Sequence, residues 1–191
     1  MSILFISKIW GVCGMNIEKT NIEGAYIIQN NYIEDERGYF LRLFCNDELK
    51  KAGIDFEVKQ SNMSYSAKKG TLRGMHYQVE PYGEIKVVRC IKGAVFDAIA
   101  DIRKDSPTYG KHFTVELSEE NGKMIYIPPY VAHGIQTLED NSMICYFVGA
   151  SFIPNAYGYL RWDDKFFNIK WPKCENRIMS EKDKNIPDFK P

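Results

Sequence analysis

The chain lacks a surplus of either charge: 25 Lys and Arg residues balance 25 Asp and Glu over 191 residues. Proteins that hold nucleic acid or an anionic membrane surface depend on a broad basic field, and none is encoded here. An anionic ligand must therefore be met by a few local Arg and Lys side chains. No apolar run approaches the roughly 18 residues needed to span a bilayer. The five cysteines (Cys13, Cys45, Cys90, Cys145 and Cys174) are odd in number, scattered, and never in Cys-x-x-Cys spacing. That usage suits a reducing cytoplasm better than a disulfide framework or a zinc site. Histidine is scarce too, with His76, His112 and His133 the whole supply.

What is present is a globular composition, 45% apolar and 26% charged, long enough to bury a sizeable core. Ser2 to Gly14 is apolar, but Lys8 interrupts it and no basic leader precedes it, unlike a secretion signal. Met15 offers a second start, so residues 1–14 read as an N-terminal extension ahead of one β-rich domain, 15–191.

The middle of the chain has strand character. Ile85 to Ile91 is apolar and β-branched, Lys92-Gly93 gives a turn, and Ala94 to Ile102 follows. Further strands are predicted at His112–Leu117, Met124–Ile127, Gly134–Leu138 and Met143–Val148, separated by Gly, Pro and Asn turns. Short strands at this spacing predict a sandwich or barrel. Helix signals are few. Asn46 is positioned to cap a short helix with Asp47 and Glu48 in its first turn and Gly53 as its stop, and a second helix is predicted from Ser180.

Two histidines sit in segments that invite a chemical reading: Thr71-Leu72-Arg73-Gly74-Met75-His76-Tyr77-Gln78 and Ala132-His133-Gly134. His112, in an alternating strand, reads as a surface or packing residue. Together with Asp35-Glu36-Arg37-Gly38-Tyr39-Phe40, Gln60-Ser61-Asn62, Lys86-Val87-Val88-Arg89, Phe96-Asp97, Asp101 to Thr108, Trp162-Asp163-Asp164 and Ile169 to Pro172, these strings resemble the dTDP-4-dehydrorhamnose 3,5-epimerase family. The resemblance runs in consistent order from about Asn21 to Asp183.

It implies an all-β, antiparallel double-sheet jelly roll of cupin type with a few short helices. It also implies a cofactor-free, metal-free isomerase acting in deoxysugar and cell-surface polysaccharide synthesis. The substrate class would be a nucleotide-diphosphate sugar bearing a 4-keto group, inverted at C3, C5 or both. The expected form is a cytoplasmic homodimer in which the segment around Asp35 to Phe40 completes the partner's site.

By the same resemblance His76 is the base, Asp183 orients it, Lys86 stabilises the enolate and Tyr146 returns the proton. His133 would bond the sugar, while Arg37, Gln60, Asn62 and Arg73 would bind the nucleotide. The residue types suit these tasks. Imidazole has an ordinary pKa of about 6.5, an ammonium stabilises developing oxyanion charge, and a guanidinium grips two diphosphate oxygens at once. Ser180-x-x-Asp183 is equally a helix-start pattern.

The chain departs from the usual family pattern at four places. They are Arg42 (usually acidic), Phe147 (often Lys), Ser151-Phe152 (a Tyr pair) and Tyr157 (often Glu). Because binding contacts set substrate choice while acid and base set reaction type, the nucleotide is less firmly implied than the epimerisation. Three other readings compete. A metal-dependent cupin needs two or three His plus a carboxylate, yet Gln78 stands two after His76. A non-catalytic sugar-nucleotide binding module would not need the proton-transfer residues. A 3,4-ketoisomerase would not need an acid opposite the base.

Overall fold

A computed structural model describes residues 14–191. The N-terminal extension, save for Gly14, lies outside the described residues. Thirteen strands and two short helices follow one another: β1 (Met15–Lys19), β2 (Tyr26–Asn30), β3 (Ile33–Asp35), β4 (Gly38–Phe40), α1 (Asn46–Lys51), β5 (Gln60–Ser66), β6 (Leu72–Gln78), β7 (Lys86–Lys92), β8 (Ala94–Asp101), β9 (His112–Ser118), β10 (Lys123–Ile127), β11 (Val131–Thr137), β12 (Ser142–Val148), β13 (Tyr157–Tyr159) and α2 (Glu181–Lys184).

The strands form two facing sheets and a hairpin. Sheet I runs β1-β2-β10-β7-β12-β5 and sheet II runs β13-β6-β11-β8-β9, while β3 and β4 pair only with each other. Every paired strand is antiparallel. This is the double-sheet jelly roll that the family resemblance implies, and it refines the sandwich or barrel predicted from strand spacing. The core between the sheets takes Val88, Cys90, Ile125 and Ile127 from sheet I and Val95, Ile99, Leu117 and Ile135 from sheet II. Fully burying side chains of this size contributes about 1.5–3 kcal/mol each, which is why the β-branched runs form the central strands.

Most predicted strand ends lie within a residue of those observed, and two differences have a local cause. β11 begins at Val131 rather than Gly134, because Tyr130 takes a left-handed turn (φ 62°) immediately after Pro128-Pro129. Asn46 is the first residue of α1, not its cap; Cys45 occupies the cap with no side-chain bond. The α1 stop is as expected, Gly53 adopting φ 79°. Near the C-terminus, Ser180 does cap α2, its hydroxyl accepting from Asp183 N–H at 3.1 Å. A four-residue helix has too few internal hydrogen bonds to stand alone, so this cap, worth about 1 kcal/mol, and the buried Ile186 beyond it hold the turn in place.

Candidate active site

A cleft of about 690 Å³ opens between the two sheets, within the size of small-molecule sites, about 300–1,000 Å³. Sheet I supplies one wall by simple alternation. Gln60, Asn62 and Ser64 of β5, Lys86 and Val88 of β7, and Ile144, Tyr146 and Val148 of β12 all face it. The register places Asn62, Tyr146 and Val88 in one row and Gln60, Val148 and Lys86 in the next.

Sheet II builds the other wall through an irregularity. His133 pairs with His76, but Ile135, two residues on, pairs with Arg73, three residues back. This β-bulge lets Arg73 and His76 both line the cleft, although strict alternation would turn them to opposite faces. Gly74 makes it feasible: its φ is 124°, and a Cβ there would lie 2.6 Å from Gly134 Cα.

The two histidines are neighbours across β6 and β11, and each is backed by a buried carboxylate. His76 Nε2 lies 2.7 Å from Asp183 Oδ1, and His133 Nε2 lies 2.8 Å from Asp97 Oδ2. Burial alone would raise the Asp183 carboxyl. Its contacts with His76, Ser180 and the Gly74 N–H outweigh that and hold it below the usual carboxylate range. Ser180 caps the helix while the Asp183 side chain reaches His76, so the helix-start pattern and the histidine contact coexist. The Tyr159 ring meets His76 edge-on, centroids 5.4 Å apart.

On the opposite wall, Lys86 Nζ lies 2.6 Å from Glu84 Oε1, and Gln78 Nε2 donates to Glu84 Oε2 at 3.0 Å. Gln78 Oε1 and Glu84 Oε1 accept no aligned hydrogen bond among the described residues, so the Lys86 charge is what compensates the latter oxygen. Burial pushes the Tyr146 phenol upward, with Glu84 adding to the effect. Burial and the same carboxylate push Tyr157 to about 12. Both phenols therefore keep their protons at neutral pH.

The cleft thus gathers His76, Asp183, Lys86, Tyr146, Gln60, Asn62, Arg73 and His133. Gln60 donates to Ala150 O at 2.8 Å, and Arg73 donates to Ser66 Oγ and Tyr65 O, both at 3.1 Å. Arg37 is not among them. It sits on the β3–β4 hairpin, exposed, 2.5 Å from Asp35, whose carboxyl it pulls down to about 2.

The four departures divide. Phe152 and Tyr157 line the cleft, whereas Phe147 turns away to pack on Phe44 at 5.5 Å and Arg42 pairs with Glu48 of α1. The sequence reading gives no role to Glu84, Asp97, Tyr159 or Lys182. A carboxylate amid the apolar run of β8 signals Asp97, since unpaired buried carboxylates are rare, and Glu84 stands two positions before Lys86. Tyr159 and Lys182 carry no such signal. Among the described residues, no group of three or more His, Cys, Asp or Glu side chains is arranged to hold a metal ion.

Known proteins share this sequence pattern and fold. Residues 19–191 match the profile of the dTDP-4-dehydrorhamnose 3,5-epimerase family. The dTDP-4-dehydrorhamnose 3,5-epimerase of Shigella flexneri is 42% identical over 176 residues, covering 92% of this chain and 96% of that protein. The corresponding enzyme of Bacillus anthracis, solved with TDP and PPi bound, superposes with a TM-score of 0.89 at 32% identity, covering 92% and 100%. A dTDP-6-deoxy-D-glucose-3,5-epimerase of Legionella pneumophila, solved with dTDP-4-keto-L-rhamnose, gives 0.84 at 35% identity, covering 88% and 89%. With the profile spanning nearly all of the described residues and the same jelly roll in both solved structures, the chain belongs to the dTDP-4-dehydrorhamnose 3,5-epimerase family.

Proposed function

We propose that this protein epimerises a nucleotide-linked 4-keto-6-deoxy sugar, of the dTDP-4-dehydro-6-deoxyglucose type, at C3, C5 or both. The observation that carries the reading is the division of labour between the walls. The histidines project from sheet II and the phenol and ammonium from sheet I, so a sugar ring lying between them meets a base on one face and an acid on the other. Inversion requires that arrangement.

His76 removes the proton from the carbon beside the ketone, and the C–H electron pair delocalises onto the carbonyl oxygen as an enolate. Asp183 fixes the imidazole's orientation and stabilises the imidazolium that forms, as an orienting carboxylate does. Lys86 stabilises the enolate oxygen, and His133 hydrogen-bonds the sugar. As the enolate collapses, Tyr146 gives its proton to the opposite face of the carbon. The resulting phenolate and imidazolium then exchange protons with solvent to restore the starting states. The ketone itself is the electron sink, so the residues present complete the cycle.

Arg73, Gln60 and Asn62 bind the nucleotide end. Arg37, exposed and outside its own chain's cleft, fits a homodimer in which the β3–β4 hairpin of one copy completes the site of the other. The four described cysteines are unpaired, which supports a cytoplasmic setting, and no helix among the described residues is long and apolar enough to cross a membrane.

The test is NMR of dTDP-, CDP- and GDP-linked 4-keto-6-deoxyhexoses incubated with the protein in heavy water. Deuterium should enter C3, C5 or both of the dTDP sugar, with inversion. Folded protein that promotes no exchange on any of the three would refute the reading, and migration of the carbonyl would assign a ketoisomerase instead.

A further inference from the structure

Among the described residues, Glu84 is the one buried acid that lines the cleft on the sheet I side, and the roles proposed above leave it unused. It precedes β7 by two residues, is buried, and lines the cleft beside Lys86. Its position is fixed from three sides. Gly83 lets the loop press onto the turn before β11, where a Cβ would come within 2.5 Å of the Tyr130 ring and 2.8 Å of Pro129. Gly149 N–H donates to Ile85 O at 2.9 Å, tying the loop to the end of β12. Gln78, the last residue of β6, reaches across from sheet II to hold Oε2. The other carboxylate oxygen faces the Lys86 ammonium.

A lysine in such a place faces a conflict. Its side chain is 12% exposed, so the charge is costly to bury without a partner, yet the proposed reaction needs that charge at the ketone oxygen. A flexible four-carbon stem also carries rotamer entropy, which works against a fixed placement. A neighbouring carboxylate that is itself immobile resolves both difficulties.

We propose that Glu84 is a positioning residue of the epimerisation: held by Gln78, it fixes the Lys86 ammonium at the cleft wall where charge develops on the keto oxygen. The inference rests on the role given to Lys86 above. Glu84 touches no reacting atom and acts through Lys86. It has a second, weaker influence on Tyr146, whose phenol also feels Arg73 and Cys145, burial being the main cause of its raised pKa. Removing the carboxylate's charge therefore makes the acid easier to ionise.

Steady-state kinetics on the dTDP-linked 4-keto sugar, with Glu84→Gln, Glu84→Asp, Lys86→Met and the Glu84→Gln/Lys86→Met pair, test the assignment. Glu84→Gln keeps shape and loses charge. It should lower kcat on the order of 10–100-fold, the scale of a misplaced catalytic group, with KM changed far less. The alkaline limb of its kcat–pH profile should move to lower pH. Glu84→Asp keeps the charge but shortens the reach, so it should lower kcat while leaving that limb near wild type; it also serves should Glu84→Gln not fold. In the Lys86→Met background, Glu84→Gln should add little further loss in kcat. Unchanged kcat and pH profile in Glu84→Gln, or unchanged kcat in Glu84→Asp, beside an impaired Lys86→Met would overturn the proposal. Full activity in Lys86→Met would instead remove the role of Lys86, and this inference with it.

Discussion

His76 and His133 face each other across adjacent strands, each with an aspartate less than 3 Å from Nε2, yet they are not equivalent. His133 takes its carboxylate from β8, the next strand of the same sheet, where Asp97 is fully buried; the His133 side chain is 11% exposed. His76 takes its carboxylate from a short helix near the C-terminus, and its side chain is 34% exposed. The same pair of groups is thus built once as part of the sheet and once at the cleft surface. An imidazole–carboxylate contact does not by itself designate a base; the proposed roles follow exposure, the more open His76 being the candidate base and the more enclosed His133 a hydrogen-bonding partner.

The largest effect should come from breaking the accessible member. His76→Asn should lower kcat/KM on the order of 10²–10⁴-fold, the usual worth of positioned acid–base catalysis. Deuterium exchange should be lost along with inversion. An activity near wild type would end the assignment.

Across the cleft, Tyr146→Phe should lower inversion by about 10²-fold while His76 continues to exchange the carbon-bound hydrogen with solvent. NMR in heavy water separates the two readouts. If exchange and inversion fall together, the phenol is not confined to the reprotonation step.

His133→Asn should be milder, on the order of 10-fold in kcat, the scale of one hydrogen bond to developing charge. A loss as large as that of His76→Asn would erase the contrast between the two histidines.

The smallest effect concerns stability. Asp183 is held below the ordinary carboxylate value, so it contributes stability above about pH 4, and that contribution is lost as pH falls through the folded-state value. Melting temperatures of wild type and Asp183→Asn, measured from pH 7 to pH 3, should therefore converge toward the acid end. A constant gap would show that the aspartate's charge is not what stabilises the contact.

Much of this molecule is legible in its sequence, unevenly. The strands from Lys86 to Val148 announce themselves because both faces are apolar or cleanly alternating. β5 does not, because its pattern is inverted: Gln60, Asn62 and Ser64 point into the cleft while Met63 and Tyr65 are exposed. An inward face made of polar side chains lining a cleft gives up the hydrophobic signal that strands are recognised by. The site residues are legible chiefly through family resemblance, since His76 and His133 taken alone read as packed histidines. Arg37 is named by that resemblance but placed by the fold outside its own chain's cleft. Glu84 and Asp97 are present as chemical oddities, acids beside or within apolar strands, whose partners only the register reveals. Lys182 and Tyr159 give no warning, because the contact between them joins two segments 23 residues apart.

The extra residue in β6 has a consequence for how members of such a family are judged. It works as a phase slip: before it, one parity of the strand looks at the ligand, and after it, the other. A β6 with every residue kept but paired without the bulge would still spell out each side chain assigned a task here, yet its arginine and histidine, three positions apart, would look in opposite directions. An inventory of side chains can thus be complete in a protein that has no working centre, and the phase of the backbone between them is as much a part of the catalyst as the groups themselves.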